Sequence, residues 1–322
     1  MKKILITGGA GFIGYYLAKK YLDLNFEVHL LDNLQRGKID NELKILLKKK
    51  VKFFKFDLVQ KKLNLKHNYT YIFHCAAIIG VKHVLKNPYE VLSKNNQMLL
   101  NMINFCQKQK FLRRFIFFST SEVYAASLKF NLLKFPTSEK NFILVDHKFH
   151  KRSTYMMSKI YGEYLCLFSG LPVTIFRPHN FYGPRMGMSH VIPELTKKIF
   201  TSKKILLQSA HHLRTFFYIE DAINEIIAVI KSDRSKNQIF NIGSQNAIKI
   251  LDLAKKIKFI LNKKIIIKSI RDKNNSPPKR IPDINKIRKI SKYKTLFNLT
   301  SGLIKTVNWY VNYYFKEKKK II

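Results

Sequence analysis

The sequence predicts an α/β fold: a doubly wound sheet of parallel strands with a smaller α/β lobe towards the C terminus. Three observations predict it. Short apolar runs and helical patterns alternate through the first half, which calls for parallel strands joined by helical crossovers. The first run leads straight into Gly8-x-x-Gly11-x-x-Gly14 at the head of a helix. The second run closes on an acid, Asp32, about twenty residues further on.

Ile4 to Thr7 supply the buried first strand, and Phe12, Ile13, Leu17 and Ala18 recur at helical spacing after it. Gly8 turns the backbone off the strand, Gly11 leaves room for a pyrophosphate, and Gly14 lets the helix pack close to the sheet. The N–H groups at the helix start face the phosphates, where the helix dipole favours negative charge. Glu27 to Asp32 form the second strand, and Asp32 is placed to hold a ribose hydroxyl and to repel a 2′-phosphate. This Rossmann pattern predicts NAD rather than NADP, with Arg36 the one nearby residue of opposite implication.

Further strands are expected near 51–56, 70–74, 114–119 and 172–177. Asp57 ends the third, within reach of an adenine amino group, although an Asp there is also a common turn residue. His74-Cys75-Ala76-Ala77 ends the fourth, its small residues running beside a cofactor and His74 serving the core. A long helix over 88–109 starts on Pro88. Residues 125–150 read as a long irregular connection, a mobile flap over the site.

The chain has 322 residues, 46% of them hydrophobic, enough for a large core. No apolar run reaches the roughly twenty residues of a membrane helix, so no membrane insertion is expected. The apolar start after Met1-Lys2-Lys3 belongs to the glycine motif and not to a secretory signal. Cys75, Cys106 and Cys166 lack metal-like spacing and read as reduced core thiols, so the expected compartment is the cytoplasm and no metal is expected. The net charge of +40 raises the question of nucleic acid, but only 11 of 60 basic residues are Arg and the lysines are spread along the chain. Compositional bias accounts for that better than a binding patch does.

The fifth strand delivers Ser119-Thr120-Ser121-Glu122-Val123-Tyr124 to the carboxyl end of the sheet, where open α/β sheets bind ligands. Tyr155 and Lys159, four apart, share one helix face. A tyrosine brought from about 10 towards 7 needs roughly 4 kcal/mol of phenolate stabilisation. An ammonium one turn away and an oxidised nicotinamide both have the required sign. Tyr155 is then the base for a sugar hydroxyl, and Thr120 hydrogen-bonds the same oxygen.

These residues make the chain resemble the extended short-chain dehydrogenase/reductases that act on nucleotide sugars, the NAD-dependent epimerase/dehydratase group. The resemblance rests on the glycine motif, Asp32, Asp57, His74-x-Ala76-Ala77, Asn96, Thr120, Tyr155-x-x-x-Lys159 and Arg177-Pro178-His179-Asn180-Phe181-Tyr182-Gly183-Pro184-Arg185. It implies NAD contacts from Phe12, Ile13, Asn33, Leu58, Ala76, Ala77 and Asn96. It also implies substrate contacts from Ser121, Asn180 and Val191, with Arg214 and Arg280 clamping a pyrophosphate. The implied NAD-binding part is 1–177 plus about 213–243, and the nucleotide-sugar lobe about 178–212 and 244–322. A homodimer through the helices at 88–109 and 154–168 is implied as well.

Gln208-Ser209-Ala210-His211-His212 replaces the glycines usual before Arg214, and Ala125 stands where a glycine is usual. Ser121-Glu122 is not the Asp-Glu pair of 4,6-dehydratases. The leading expectation is 4-epimerisation of a nucleotide-linked hexose, with decarboxylation of a nucleotide-linked uronic acid as the runner-up and Glu122 as the discriminating residue. A 4,6-dehydratase and a binding relative without turnover are further alternatives.

Overall fold

The structure is a computed structural model that describes residues 2–60, 62–145, 150–270 and 277–315. Residues 146–149 of the expected flap, and 271–276 and 316–322 of the expected C-terminal lobe, lie outside the described residues.

The chain opens with β1 (Lys3–Thr7), α1 (Phe12–Asp23), β2 (Glu27–Asp32), α2 (Asn41–Leu47), β3 (Val51–Lys55) and β4 (Tyr71–His74). It continues through α3 (Val81–Lys86), α4 (Pro88–Cys106), β5 (Arg114–Phe118), a 3-10 turn (Ser121–Tyr124), α5 (Ala125–Lys129), α6 (Ser153–Leu167) and β6 (Val173–Pro178). Next come β7 (Phe181–Tyr182), α7 (Val191–Thr201), β8 (Lys204–Leu207), β9 (Leu213–Thr215), β10 (Phe217–Tyr218), α8 (Ile219–Lys231) and β11 (Gln238–Ile242). The last described elements are β12 (Ala247–Lys249), α9 (Ile250–Ile260), β13 (Ile266–Ser269), β14 (Lys279–Arg280), α10 (Asn285–Ser291), α11 (Leu299–Trp309) and a closing π-helical turn (Tyr310–Phe315).

The central sheet has seven parallel strands in the order β11-β6-β5-β4-β1-β2-β3, so the strand order reverses between β1 and β4. The six expected strands are all present, and β11 adds a seventh beside β6. Alternation along each strand builds the two cores. Ile4, Ile6, Phe73, Ile116, Phe118 and Phe240 face one side, where α1 and α8 pack against each other. Leu5, Ile72, Phe115, Phe117, Val173 and Ile175 face the other, covered by Met98, Leu99 and Met102 of α4 and Cys166 of α6. Each such fully buried side chain contributes about 2 kcal/mol. No helix among the described residues is long and apolar enough to cross a membrane.

The expected flap is corrected in part. Ala125–Lys129 is helical, and Thr137 is held in a parallel bridge to Pro282. Its N–H donates to Ile281 O at 2.8 Å, and its carbonyl accepts from Asp283 N–H at 2.8 Å. The side-chain amide of Asn241, on β11, donates to the same carbonyl at 2.9 Å, and Glu139 Oε1 accepts the Asn241 backbone N–H at 2.7 Å. The connection is therefore fastened to the far end of the chain around residue 137.

The tail is fastened by acids of α8. Asp221 accepts from the Tyr293 hydroxyl at 2.7 Å and from the amides of Leu296 and Phe297. Glu225, fully buried, lies 3.2 Å from Arg288 Nε and accepts from Ser291 Oγ at 3.0 Å.

Candidate functional site

The glycine-rich turn lies where the carboxyl edge of β1 meets β2 and β4. Gly8 sits at φ +66°, and a side chain there would begin 2.8 Å from Ala76 N, so both conformation and space require glycine. At Gly14 the neighbour is the turn itself, since a Cβ would lie 2.4 Å from Gly8 O. The third glycine thus lets α1 start against the loop backbone; the expectation had it packing against the sheet. No side chain caps α1 and its first turn holds no acid, so the amides at Phe12, Ile13 and Gly14 head an electropositive helix start. A dinucleotide pyrophosphate fits this cradle.

Asp32 accepts from the amides of Ala10 at 3.0 Å and Leu34 at 2.8 Å. Burial raises its pKa above the ordinary aspartate value and those two amides oppose the rise. Asn33 accepts from Gln35 N–H, and Asp57 closes its own turn on Val59 N–H at 2.9 Å. Leu58 is buried, its carbonyl held by the Asn101 amide. Ala76 donates to Thr7 Oγ1, the same hydroxyl that pairs with His74 Nδ1 at 2.8 Å. His74 is therefore a hydrogen-bonded core histidine, and burial holds its pKa down at about 3. Asn96 Oδ1 on α4 is buried without a partner among the described residues.

The catalytic candidates converge from β5 and α6. Thr120 caps the 3-10 turn by accepting from Glu122 N–H at 3.2 Å, and its hydroxyl is close enough to the Tyr155 phenol to lower the phenol's pKa. Burial raises the pKa of Tyr155 and the charge of Glu122 adds to that, while the Thr120 hydroxyl and the charge of Arg36 oppose it. This differs from the expectation that Lys159 would pull the phenol down. The Lys159 ammonium is buried, donates to Phe118 O at 2.8 Å and stands 5.9 Å from the Tyr155 ring centre. Burial lowers its own pKa to about 8.

Glu122 does not cap the turn. Its carboxylate accepts from Arg280 Nη1 at 2.6 Å, a contact between residues 158 positions apart. Burial pushes its pKa up, but the charge and hydrogen bond of Arg280, with Arg152 and Arg214 behind, outweigh burial and hold it below the ordinary glutamate value. Ser121 sits in the same turn, partly buried.

Arg214 and Arg280 are paired in register on β9 and β14. Arg214 donates to Pro277 O at 2.8 Å and to Leu213 O. Asn180 takes a positive φ of 45°, with its amide donating to Thr215 O at 3.0 Å. Val191, partly exposed, opens α7.

Two groups in the site escaped the sequence reading. Asn95, one residue before the predicted Asn96, accepts from Ile78 N–H at 2.7 Å and donates to Ile78 O and to Ser158 Oγ. It ties the chain after β4 to α6 one residue before Lys159. Beneath Ser119–Tyr124, the Arg177 guanidinium binds both oxygens of Glu163 at 2.8 and 2.5 Å and donates to the Tyr124 hydroxyl at 2.7 Å. Ser119 donates to Glu163, and Tyr124 donates to Asn241. The sequence signal was the Arg of Arg177-Pro178 and a Glu four residues after Lys159. Nothing in the sequence joined the two.

Comparison with known proteins agrees with this geometry. A profile of the NAD dependent epimerase/dehydratase family matches residues 4–243. The UDP-N-acetyl-alpha-D-glucosaminuronate decarboxylase of Bacillus cytotoxicus is 29% identical over 96% of this chain and 98% of its own. The UDP-glucuronic acid 4-epimerase of Bacillus cereus, solved in complex with UDP-glucuronic acid and NAD, superposes with a TM-score of 0.85. It is 25% identical over 97% of this chain and 100% of that one. Epimerase Mth375 of Methanothermobacter thermautotrophicus shares the fold at a TM-score of 0.86 and 21% identity, covering 99% of this chain and 94% of that one. A glycine cradle for a pyrophosphate, a phenol and an ammonium on one helix, and a profile spanning the whole parallel sheet together show that the chain belongs to the NAD-dependent epimerase/dehydratase family of nucleotide-sugar enzymes.

Proposed function

We propose that this enzyme removes the carboxylate of a UDP-linked uronic acid through a 4-keto sugar. The observation that carries the reading is the Glu122–Arg280 pair beside Tyr155, which makes Glu122 a charged member of the site and not a turn cap. The names of the Bacillus cytotoxicus decarboxylase and the Bacillus cereus epimerase both specify a UDP-uronate, which supports the substrate class.

NAD would be held by the α1 amides and Asp32, with further contacts from Phe12, Ile13, Asn33, Asp57, Leu58, Ala76, Ala77 and Asn96, and would supply reversible hydride acceptance for the sugar's C4. Tyr155 takes the proton from O4, and Thr120, beside the phenol, orients the same oxygen. Lys159 places a positive charge near the phenol, and Phe118 O fixes its position. Arg214 and Arg280, in register on β9 and β14, clamp the pyrophosphate of the nucleotide sugar, and Asn180, Ser121 and Val191 hold the rest of it.

A 4-ketone makes the C5–C6 bond labile. The bonding pair passes into the C4 carbonyl as an enolate, CO2 departs, and a proton is added at C5. The Glu122 carboxylate stands beside the entering carboxylate, and that like-charge contact is relieved when the charge leaves as neutral CO2. A second reading, 4-epimerisation of the same uronate, is favoured by the similarity to the UDP-glucuronic acid 4-epimerase.

The enzyme works as a homodimer in this reading. Tyr161, Tyr164 and Phe168, spaced along one stripe of α6 and just past its end, are 48%, 63% and 81% exposed, and α6 packs beside α4. A second copy of the chain covers the stripe. The three thiols are unpaired, which supports a cytoplasmic setting.

The test is to incubate the purified enzyme with UDP-glucuronate and with UDP-N-acetylglucosaminuronate, tracking CO2 and identifying products by NMR. Decarboxylation yields CO2 and a UDP-pentose, and Glu122→Gln stops CO2 release while bound NAD is still reduced. A 4-epimer that keeps its carboxylate, formed equally well by the Glu122→Gln enzyme, would establish the second reading instead.

A further inference from the structure

The glycine-rich turn and Thr120 lie at the carboxyl edge of the central sheet. The opposite, amino edge carries a separate cavity of about 350 Å³, where the last turns of α1 and α8 meet the residues leading into β1, β2, β4 and β5. Tyr21, Phe26 and Tyr71 form an aromatic floor, with ring centres 5.0 to 6.2 Å apart. Lys2, Arg113 and Lys231 are exposed at the rim, and none of the three joins an ion pair among the described residues. Glu27, the acid next to Phe26, is already held by Lys3, Lys52 and His29.

Tyr21 and Tyr71 are only 2% and 7% exposed, yet neither phenol hydroxyl has a hydrogen-bond partner among the described residues. Burial keeps the Tyr21 phenol protonated and therefore a donor. Arg114, in register with Tyr71 on the neighbouring strand, is buried with Nε and Nη1 unpartnered among the described residues. Its Nη2 donates to Ser232 O at 3.3 Å and lies 3.6 Å from the exposed Asp233. A lysine at a helix end is ordinary. Buried phenols and a guanidinium that lack partners at one spot are uncommon, and each costs free energy until something accepts from it.

We propose that this cavity binds a nucleoside monophosphate, its ring on the Tyr21–Phe26–Tyr71 floor and its phosphate among Lys2, Arg113 and Lys231, with the phenol hydroxyls donating to it. A flat ring buries well against aromatic side chains. A dianion answers a rim of three cations better than a single carboxylate does. The volume is at the small end for ligand cavities, which suits one nucleoside and not a dinucleotide. The cavity shares no residue with the glycine cradle or with the Tyr155 centre, so the proposal and the decarboxylation reading stand or fall separately.

The NAD-saturated enzyme, its cofactor site thereby filled, is titrated by calorimetry with AMP, adenosine and inorganic phosphate. Wild type is compared with Arg113→Gln/Lys231→Gln, with Tyr71→Phe, and with Lys203→Gln/Lys204→Gln, a charge control on exposed lysines elsewhere. Wild type should bind AMP with a dissociation constant below about 1 mM, and adenosine and phosphate each about tenfold more weakly or worse. Arg113→Gln/Lys231→Gln should lose about tenfold or more of the AMP affinity, and Tyr71→Phe about fivefold, the scale of one neutral hydrogen bond. The charge control should bind as wild type does, and melting midpoints without AMP should not move. If Tyr71→Phe melts lower, the exposed Arg113→Gln/Lys231→Gln pair alone decides. No AMP binding to wild type overturns the proposal. So does an AMP affinity that Arg113→Gln/Lys231→Gln leaves unchanged, which would place the nucleotide in the sugar-nucleotide site. Phosphate bound as tightly as AMP, or an equal loss in the charge control, overturns it too, by reducing the rim to part of the chain's general positive charge.

Discussion

Tyr155 and Lys159 share a face of α6, but different neighbours set their charges. The ammonium is buried against a carbonyl and the phenol is answered by Thr120, so a spacing of four brought the pair together without coupling them strongly. Replacing Tyr155 by Phe should lower kcat by about 10²- to 10⁴-fold with NAD affinity unchanged. Because burial raises the phenol pKa, activity should climb with pH between roughly 6 and 9, the ionised base becoming more abundant. A profile that is flat there, or falls, would remove Tyr155 from the role of base. The Tyr155 and Lys159 pairing was legible because the two stand four positions apart on one helix. The Glu122–Arg280 pairing was not, since 158 residues separate its members and only tertiary structure joins them.

At the scale of elements, the first six strands were legible as short apolar runs ending in turn or small polar residues. Strand β11 was not, because Gln238 and Asn241 break the apolar run of Gln238–Ile242, and the Asn241 side chain bonds other segments. Helix α8 holds an acid whose effect can be measured. Burial, with Asp221 adding, raises the Glu225 pKa from 4.5 to about 7 against the opposition of Arg288 and Ser291. The folded state then keeps a proton that the unfolded chain has released, so this site stabilises the fold fully below pH 4.5 and the benefit is lost as pH rises through about 7. Melting should show about 2 kcal/mol more stability at pH 5 than at pH 8 from this group, and Glu225→Gln should flatten that difference. Helix α6 makes a separate prediction. Tyr164→Glu combined with Phe168→Glu should convert a species of twice the 38.0 kDa chain mass into a single chain, as read by light scattering. A double variant that stays paired would place the interface elsewhere.

For the whole molecule, the parallel sheet and its glycine cradle followed from local patterns, whereas the fastening of the 125–150 connection did not. The sequence presents residues 125–150 as a loose connection. The fold instead bridges Thr137 to Pro282, close to Arg280 and more than a hundred residues away in the chain. No local pattern announces such a bridge. It depends on two irregular segments meeting over the end of β11.

That bridge also fixes how solvent deuterium should enter the protein. The amides of Thr137 and Asp283 each donate to a carbonyl on the facing segment at 2.8 Å. In exchange followed by mass spectrometry or NMR, these two positions should label as slowly as the middle of the central sheet, although neither belongs to it. Rapid labelling of both would mean that the two segments part many times before the core opens once.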